Sequence, residues 1–264
     1  MASYYDAYDD GAEDMLKNTE EILKLPAVQA LIEKEKAAAV AAKMATVDVI
    51  GDPARTSVVD NAFYNCLGIT TASFPAVTSI GEHAFEGCSA LTTADFPAAA
   101  NVKFNAFTDC SALTTVNLPL VTHVGIRAFS NCSSLTTVSL PAATSIDGST
   151  FSGCTALTTA SLPAATSLGS GIFQRCTALT AVSLPAATNL SDGTFDSCSA
   201  LTTASFPAAT SIGDSAFYNC TSLTDLTLSS MTVAEVTAGA STWKVPSGCV
   251  VHCKDGDYTV PQAA

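Results

Sequence analysis

Ten cysteines and three histidines are the residues of this 264-residue chain that could carry thiol, metal-binding or acid–base chemistry. Eight of the cysteines stand 22 residues apart, from Cys66 to Cys220. A nucleophilic or metal site needs unlike groups that converge on one point. A fixed period instead indicates one structural unit that is stacked on itself. The spacing therefore favours a structural role for these thiols.

The geometry of such a stack bears on whether the cysteines form disulfides. Equivalent residues of neighbouring units would lie about 4.8 Å apart, one strand spacing. That separation permits a disulfide, but parallel Cβ vectors suit its torsion angle poorly. We interpret the thiols as buried and free, packing as small hydrophobic groups, with some disulfides or a metal site as alternatives. The predicted core cysteines are Cys88, Cys110, Cys132, Cys154, Cys176 and Cys198.

The histidines offer little catalytic chemistry. His83 and His123 occupy different phases of the repeat, so we do not expect them to converge. His252 lies between Cys249 and Cys253, which suggests zinc, but strand alternation would place the two cysteines on one face and the histidine on the other. We find no solitary nucleophile and no glycine-rich phosphate loop. The sequence predicts no enzyme activity, no cofactor and no metal.

Composition narrows the possible partners. The formal net charge of −13 disfavours binding to nucleic acid or to anionic membranes. The most apolar stretch, residues 37–42, is far shorter than the ~20 residues of a membrane span, so we expect no membrane insertion. The acidic start MASYYDAYDD lacks the features of a secretory signal peptide.

Residues 61–228 form an array of eight units of 22 residues. In the fragment Leu113–Leu118, apolar and polar residues alternate as in a short strand, which Pro119 ends. Residues 122–124 indicate a second short strand. We predict a mainly β repeat solenoid, a leucine-rich-repeat stack of short strands and turns. Its core contains one phenylalanine per unit: Phe63, Phe85, Phe107, Phe129, Phe151, Phe173, Phe195 and Phe217.

The two ends break the period. Residues 1–60 contain two amphipathic stretches, 10–24 and 26–45, which predict an N-terminal α-helical segment. This segment either caps the open end of the stack or anchors the protein to something larger. Residues 229–264 contain Trp243, and residues 249–260 predict a β-hairpin with a turn at Asp255-Gly256, which serves as a C-terminal cap.

The repeat unit resembles the BspA-like leucine-rich repeats, also called the Treponema pallidum type. Their AF-x-x-C-x-x-L segment and T-S-I-G turn are matched here by Ala84-Phe85, Cys88, Leu91 and Ser145-Ile146. The block 243–257 also resembles the ending of such proteins in gut bacteria and their phages. The resemblance implies surface-exposed recognition or adhesion, to host proteins or to other bacteria, without catalytic residues or a cofactor.

Two surfaces of the array could bind a partner. Outward strand positions form columns of Thr and Ser, which either make a soluble β-face or bind a regular surface such as glycan or ice. Variation concentrates in the turns, where it reflects either drift or a specific contact surface. The candidate binding residues in the turns are His83, Phe104, Ile126, Arg127, Ile172 and Arg175.

These features together predict a non-enzymatic scaffold for recognition or adhesion that is displayed on a surface. The leading hypothesis is a fibre or decoration protein on the surface of a phage particle, held to a capsid or tail protein through residues 1–60. The alternative is a BspA-like adhesin on the bacterial cell surface, or secreted, that binds host protein or glycan. An oligomer is compatible with either hypothesis.

Overall fold

The computed structural model describes residues 47–50 and 54–262. The predicted helices within residues 10–45 lie outside these residues. The described chain forms a β-solenoid of about nine turns, with one short helix and a terminal hairpin near its C-terminus. The predicted mainly β leucine-rich-repeat solenoid is therefore confirmed.

One side of the solenoid is built from the longer strands. Parallel pairing joins the first four of these strands into one sheet and the other seven into a second, whose last pair is antiparallel. The strands are β1 (Val47–Ile50), β3 (Ile69–Ser73), β5 (Thr93–Asp95), β7 (Thr115–Asn117), β9 (Thr137–Ser139), β11 (Thr159–Ser161), β13 (Ala181–Ser183), β15 (Thr203–Ser205), β17 (Asp225–Leu228), β18 (Val250–Cys253) and β19 (Gly256–Thr259).

A second side consists of two-residue strands, which also pair in parallel. They are β2 (Ser57–Val58), β4 (Ser79–Ile80), β6 (Asn101–Val102), β8 (His123–Val124), β10 (Ser145–Ile146), β12 (Ser167–Leu168), β14 (Asn189–Leu190) and β16 (Ser211–Ile212). Within the repeat array, partners on both sides are 22 residues apart, for example Thr137 with Thr159 and Ser145 with Ser167. Strand pairing begins at Val47, so part of the segment predicted as residues 1–60 belongs to the stack.

The phenylalanine column runs through the interior of the stack. Neighbouring rings lie 4.9–5.7 Å apart between centroids, with planes within 14° of parallel. Phe63, in the first unit, is partly buried, and the other seven rings are fully buried. Phe74, Phe96 and Phe206 add rings to a second inward column, which leucine fills in other coils.

The cysteines line the same core as free thiols. From Cys88 to Cys220, each Sγ donates a hydrogen bond of 3.0–3.2 Å to the carbonyl of the phenylalanine 25 residues earlier. Burial raises the pKa of the Cys88, Cys154 and Cys220 thiols to about 12. Because the thiolate is the nucleophile and the metal ligand, these groups are protonated and inert at neutral pH.

The C-terminal cap contains a helix that the sequence analysis did not predict. Helix α1 (Val233–Trp243) begins with a capping box, in which Glu235 N–H donates to Thr232 Oγ1 and Thr232 N–H donates to Glu235 Oε2. Its end replaces the missing next coil, since Phe217 N–H donates to the Trp243 carbonyl at 2.9 Å. Trp243 packs on Gly239, where a Cβ would lie 2.0 Å from the indole.

The terminal hairpin continues the long sheet, because β18 pairs in parallel with β17. Its turn consists of Lys254 and Asp255, and Gly256 starts β19, so the predicted Asp-Gly turn was wrong by one residue. His252 joins three strands: Nδ1 lies 2.8 Å from Asp257 Oδ1, and Nε2 lies 3.2 Å from Asp225 Oδ2. The hydrogen bonds to Asp257 and then to Asp225 raise the pKa of His252.

The phenylalanine column should carry much of the stability. We expect Phe151→Ala to lower the free energy of unfolding by about 3–5 kcal/mol, because it leaves a cavity between two stacked rings. Denaturant unfolding followed by circular dichroism measures this loss. The matched control, Thr137→Ala at an exposed strand position, should change stability by no more than about 0.5 kcal/mol. Equal stability of the two variants would contradict a core role for this column.

The His252 cluster should make the stability of the cap depend on pH. A pKa that is higher in the folded state gives stabilisation that is complete below the unfolded pKa and is lost as pH rises through the folded pKa. The wild-type chain should therefore lose stability relative to His252→Gln between pH 6 and pH 8, by at most about 1 kcal/mol for such an exposed cluster. Guanidinium midpoints of both proteins measure this difference. Parallel pH profiles would contradict the assignment.

Candidate partner-binding ridge

Each coil turns around its phenylalanine through two residues in the left-handed conformation. These residues stand two positions before and two positions after the phenylalanine, with φ of 54° to 77°. Asn, Gly, Ser and Asp fill most of these positions. Glycine adopts the left-handed conformation freely, and Asn and Asp adopt it more readily than other residues do. Arg127 (φ 56°) and Arg175 (φ 61°) are long side chains held there. A bulky residue at such a φ is uncommon and marks a position worth functional attention.

The residue before the first left-handed position points outward from the turn. Phe104 and Ile126 occupy this position in consecutive coils, and Ile126 is 48% exposed. The Asn105 N–H donates to the Ile126 carbonyl at 3.0 Å, and this bond brings the two turns side by side. Two apolar side chains thus stand in adjacent coils where other coils carry Asp, Glu, Gly or Ser.

Aromatic contacts extend this apolar surface toward the N-terminal coils. The ring of Phe104 meets the His83 ring edge-on with centroids 5.0 Å apart, and His83 meets Tyr64 at 6.5 Å. Tyr64 is 49% exposed. We name the surface formed by Tyr64, His83, Phe104, Ile126 and Arg127 the turn ridge.

Charged residues of both signs surround the turn ridge. Lys103 and Arg127 are the basic residues of its turns, and the same turns also carry Asp60, Glu82, Glu86 and Asp109. Lys103 forms an ion pair with Asp60 at 3.5 Å. Arg127 is exposed and forms no ion pair within the described residues. The ridge therefore presents the exposed guanidinium of Arg127 beside apolar groups, in turns that also carry acidic residues.

One polar atom at the same turn also stands out. Oδ1 of Asn105 is buried without a hydrogen-bond partner, the one such side-chain atom found in residues 54–262. Buried polar atoms in native proteins are nearly always paired, with protein groups or with water. The adjacent turns at Phe104 and Ile126 thus combine a half-buried phenylalanine, an exposed isoleucine, an arginine in the left-handed conformation and an amide oxygen without a protein partner.

The predicted binding residues divide into three groups in the structure. His83, Phe104, Ile126 and Arg127 lie together on the turn ridge. Arg175 is exposed but stands two coils further along and is not part of the ridge. The assignment of Ile172 to this surface was wrong, because Ile172 is 0% exposed and shares an inward column with Ala84, Ala106, Ala128, Thr150 and Thr194.

Sequence reasoning missed Tyr64. The equivalent position holds Glu86, Thr108, Ser130, Ser152, Gln174 and Asp196 in the next six coils, and a second exposed tyrosine, Tyr218, in the eighth. An aromatic residue in a column of small or polar residues is a detectable signal, because a stacked fold places every member of the column at the same exposed site.

Two open depressions on the described part of the chain lie beside polar side chains. One, of about 350 Å³, lies on the long sheet and is lined by hydroxyl, alanine and valine side chains, with Asp225 at its edge. The other, of about 440 Å³, lies between the last coil and the cap, beside Tyr218 and Lys244. Residues 54–262 bring together no group of three or more His, Cys, Asp or Glu side chains suited to a metal ion.

Coil-to-coil hydrogen bonds occupy many of the surface hydroxyls. Thr92, Thr114, Thr158, Thr202 and Thr224 each donate Oγ1–H to the carbonyl of the residue 22 positions earlier, at 2.9–3.3 Å. These hydroxyls stabilise the stack, and the exposed strand positions such as Thr159 and Ser161 supply the hydroxyl face.

In the part of the chain that the structure describes, no helix has the length and apolarity required to cross a bilayer.

Comparison with solved structures finds similar proteins of the same repeat type. A leucine-rich repeat protein of T. pallidum is 27% identical, with a TM-score of 0.49 over 68% of this chain and 78% of that one. A leucine-rich cell surface protein of Faecalibacterium prausnitzii is 25% identical, with a TM-score of 0.45 over 69% and 68%. A leucine-rich repeat protein of Bacteroides ovatus is 16% identical, with a TM-score of 0.40 over 78% and 77%. No curated protein matches the chain.

The family profile covers most of the chain and decides its classification. The profile of the BspA type leucine-rich repeat region matches residues 56–165 and 122–240, in six copies. Leucine-rich repeat proteins are in general non-enzymatic scaffolds that bind other proteins. The resemblance seen in the repeat unit is therefore confirmed, and the chain belongs to the BspA type leucine-rich repeat family.

Proposed function

We propose that this protein is a non-enzymatic recognition scaffold, displayed on a surface, that binds a protein partner through the turn ridge. The observation that supports this proposal is the patch from exposed Tyr64 through half-buried His83 and Phe104 to exposed Ile126, beside Arg127, which forms no ion pair among residues 54–262. Contiguous exposed apolar groups on a soluble domain mark interaction sites. Aromatic residues and arginine are also the side chains that most often dominate the energy of protein interfaces.

The side chains of the described residues support a binding role rather than catalysis. The column thiols are buried and protonated. His83 is hydrogen-bonded to Glu86, and His252 is held between Asp225 and Asp257. None of these groups stands beside a nucleophile, whereas acyl or phosphoryl chemistry requires a nucleophile and a base in contact.

The binding surface can be tested by substitution on two faces of the same protein. Fluorescently labelled full-length protein is applied to candidate host epithelial and bacterial cells, and bound protein is measured by flow cytometry. Ile126→Asp should weaken binding roughly tenfold, or about 1.4 kcal/mol, because it places a charge in the apolar patch. The Ser161→Asp variant, changed at another exposed residue on the hydroxyl face, should bind as the wild type does.

The reverse pattern, in which Ser161→Asp loses binding and Ile126→Asp keeps it, would contradict the ridge. It would favour glycan binding on the hydroxyl face, the alternative that the exposed Thr and Ser columns support. A glycan array probed with the wild-type protein distinguishes sugar from protein ligands in that case.

We propose that the carrier of this scaffold is a phage particle, and that the part of residues 1–60 that precedes β1 attaches the protein to a capsid or tail protein. The likeness of residues 243–257 to the ends of phage-borne relatives supports this proposal, as does the long segment that precedes the array. The second candidate is an adhesin on the bacterial cell surface, which family membership supports.

Immunogold labelling separates the two locations. Antibodies against the full chain should place gold on intact phage particles from the source culture and leave the bacterial envelope unlabelled, with preimmune serum as the control. Gold on the cell envelope and none on particles would contradict the particle proposal and favour the adhesin.

A further inference from the structure

We propose that the solenoid contains a hinge at one boundary between coils, where the strands of both sides lack backbone hydrogen bonds and the phenylalanine turns keep theirs. The boundary lies between the coil that begins at Phe151 and the coil that begins at Phe173, and we name it the open junction. It divides the array into an N-terminal block of five coils and a C-terminal block of three coils with the cap. The inference does not depend on which surface binds a partner.

The short strands show the separation most clearly. Pairing is continuous from β2 to β12 and resumes between β14 and β16, but β12 and β14 do not pair. The N–H groups of Thr188 and Ser191 donate to no carbonyl among the described residues, whereas their equivalents one coil earlier, Thr166 and Gly169, donate at 3.0 and 2.8 Å. The Oγ of Ser191 instead donates to the Leu168 carbonyl at 2.6 Å. A side-chain hydrogen bond therefore takes the place of backbone pairing on this side.

The long strands are loosened at the same boundary. β11 and β13 share one residue pair, whereas β9 with β11 and β13 with β15 share three each. The N–H of Thr180 donates to no carbonyl among the described residues, but Thr158 and Thr202, its equivalents on either side, each donate at 2.9 Å to the residue 22 positions earlier.

A second gap in the long sheet differs from the open junction. β7 and β9 do not pair, but the short strands of the same two coils, β8 and β10, remain paired. Among the boundaries between described coils that have strands on both sides, the open junction is the one that lacks backbone bonds on both.

The turns around the phenylalanine column hold the two blocks together. The N–H of Phe151 donates to the Ile172 carbonyl at 2.9 Å, and the N–H of Gly153 donates to the Gln174 carbonyl at 2.8 Å. The rings of Phe151 and Phe173 are stacked with centroids 5.7 Å apart. A boundary that is closed along one line and loosened on both flanks permits rotation about that line, which is hinge geometry.

The missing bonds matter because each coil of a solenoid contacts only its neighbours. The stability of the array is then approximately the sum of the coils and of the boundaries between them. A boundary with fewer backbone bonds couples its two coils less strongly, and regions with few protected bonds open at a lower free energy than the rest of a fold. Bending at the open junction would turn the ridge, which lies in the N-terminal block, relative to the C-terminal cap.

Amide hydrogen exchange of the full chain, measured by NMR, tests the missing bonds. Thr180 and Thr158 both follow leucine, and Thr188 and Thr166 both follow alanine, so the intrinsic exchange rates within each pair are matched. We expect Thr180 and Thr188 to exchange roughly tenfold faster than their partners, because their N–H groups have no protein acceptor. Equal protection within both pairs would overturn the inference.

Pulsed electron paramagnetic resonance tests the motion. Spin labels on genetically encoded ketone residues at Thr115 and Thr203 span the open junction, and labels at Thr71 and Thr159 span as many coils within the N-terminal block. Both pairs lie about 19 Å apart at one strand spacing per coil. Both also cross the gap between β7 and β9. The distance distribution of the first pair should be severalfold broader, and equal widths would overturn the inference.

A matched pair of variants tests the position of the hinge. Ser191→Ala removes the hydrogen bond to Leu168 and should broaden the distribution across the open junction further. Ser211→Ala removes a hydrogen bond of 2.7 Å to Asn189 at the next boundary, where backbone pairing remains, and should leave that distribution unchanged. Circular dichroism melts verify that both variants are folded. An equal response of the two variants, whether broadening or none, would overturn the assignment of the hinge to this boundary.

Discussion

The structure depends on one constraint, the in-register stacking of coils around the phenylalanine column. Each ring from Phe63 to Phe195 is covered by the ring of the next coil, and the N–H of each of these residues donates to a carbonyl 21 residues later, as Phe85 does to Ala106 at 2.7 Å. Once this register holds, the thiols meet the phenylalanine carbonyls and the strands pair on both sides. In the described coils, each inward column repeats a few residue types, so unlike side chains meet at the surface and at the ends of the stack.

This constraint explains how much of the fold could be predicted from the sequence. The 22-residue period and the alternation of apolar and polar residues were sufficient to predict the solenoid, the paired strands and the inward columns, because every coil packs in the same way. Ile172 shows the limit of that reasoning. Variation in its column was interpreted as exposure, but Ala84, Thr150 and Ile172 are all inward, since a buried position tolerates changes in size where its neighbours leave space.

The ends require residues that no repeat supplies, and prediction was weakest there. The last coil has backbone N–H groups that would otherwise donate to the carbonyls of a following coil. In its place, the carbonyls of Thr242 and Trp243 in α1 accept these hydrogen bonds. The Thr232-Glu235 capping box was a visible signal for that helix. The close contact of Trp243 with Gly239 was not visible, because it depends on tertiary packing.

The core consists of residues that repeat from coil to coil, whereas the turn ridge consists of residues that differ from those at equivalent positions in other coils. Phe104, Ile126 and Tyr64 replace small or polar residues, and Arg127 replaces the Asn, Gly or Ser that its backbone favours. Comparison of equivalent positions along the repeats identified three of these four residues. It did not show that they form one surface, because their contact depends on the hydrogen bonds between adjacent turns. A uniform scaffold tolerates such substitutions at low cost to folding, since they touch neither the rings nor the thiols. The same uniformity makes each departure informative, because the surrounding coils show which residue the fold alone would have placed there.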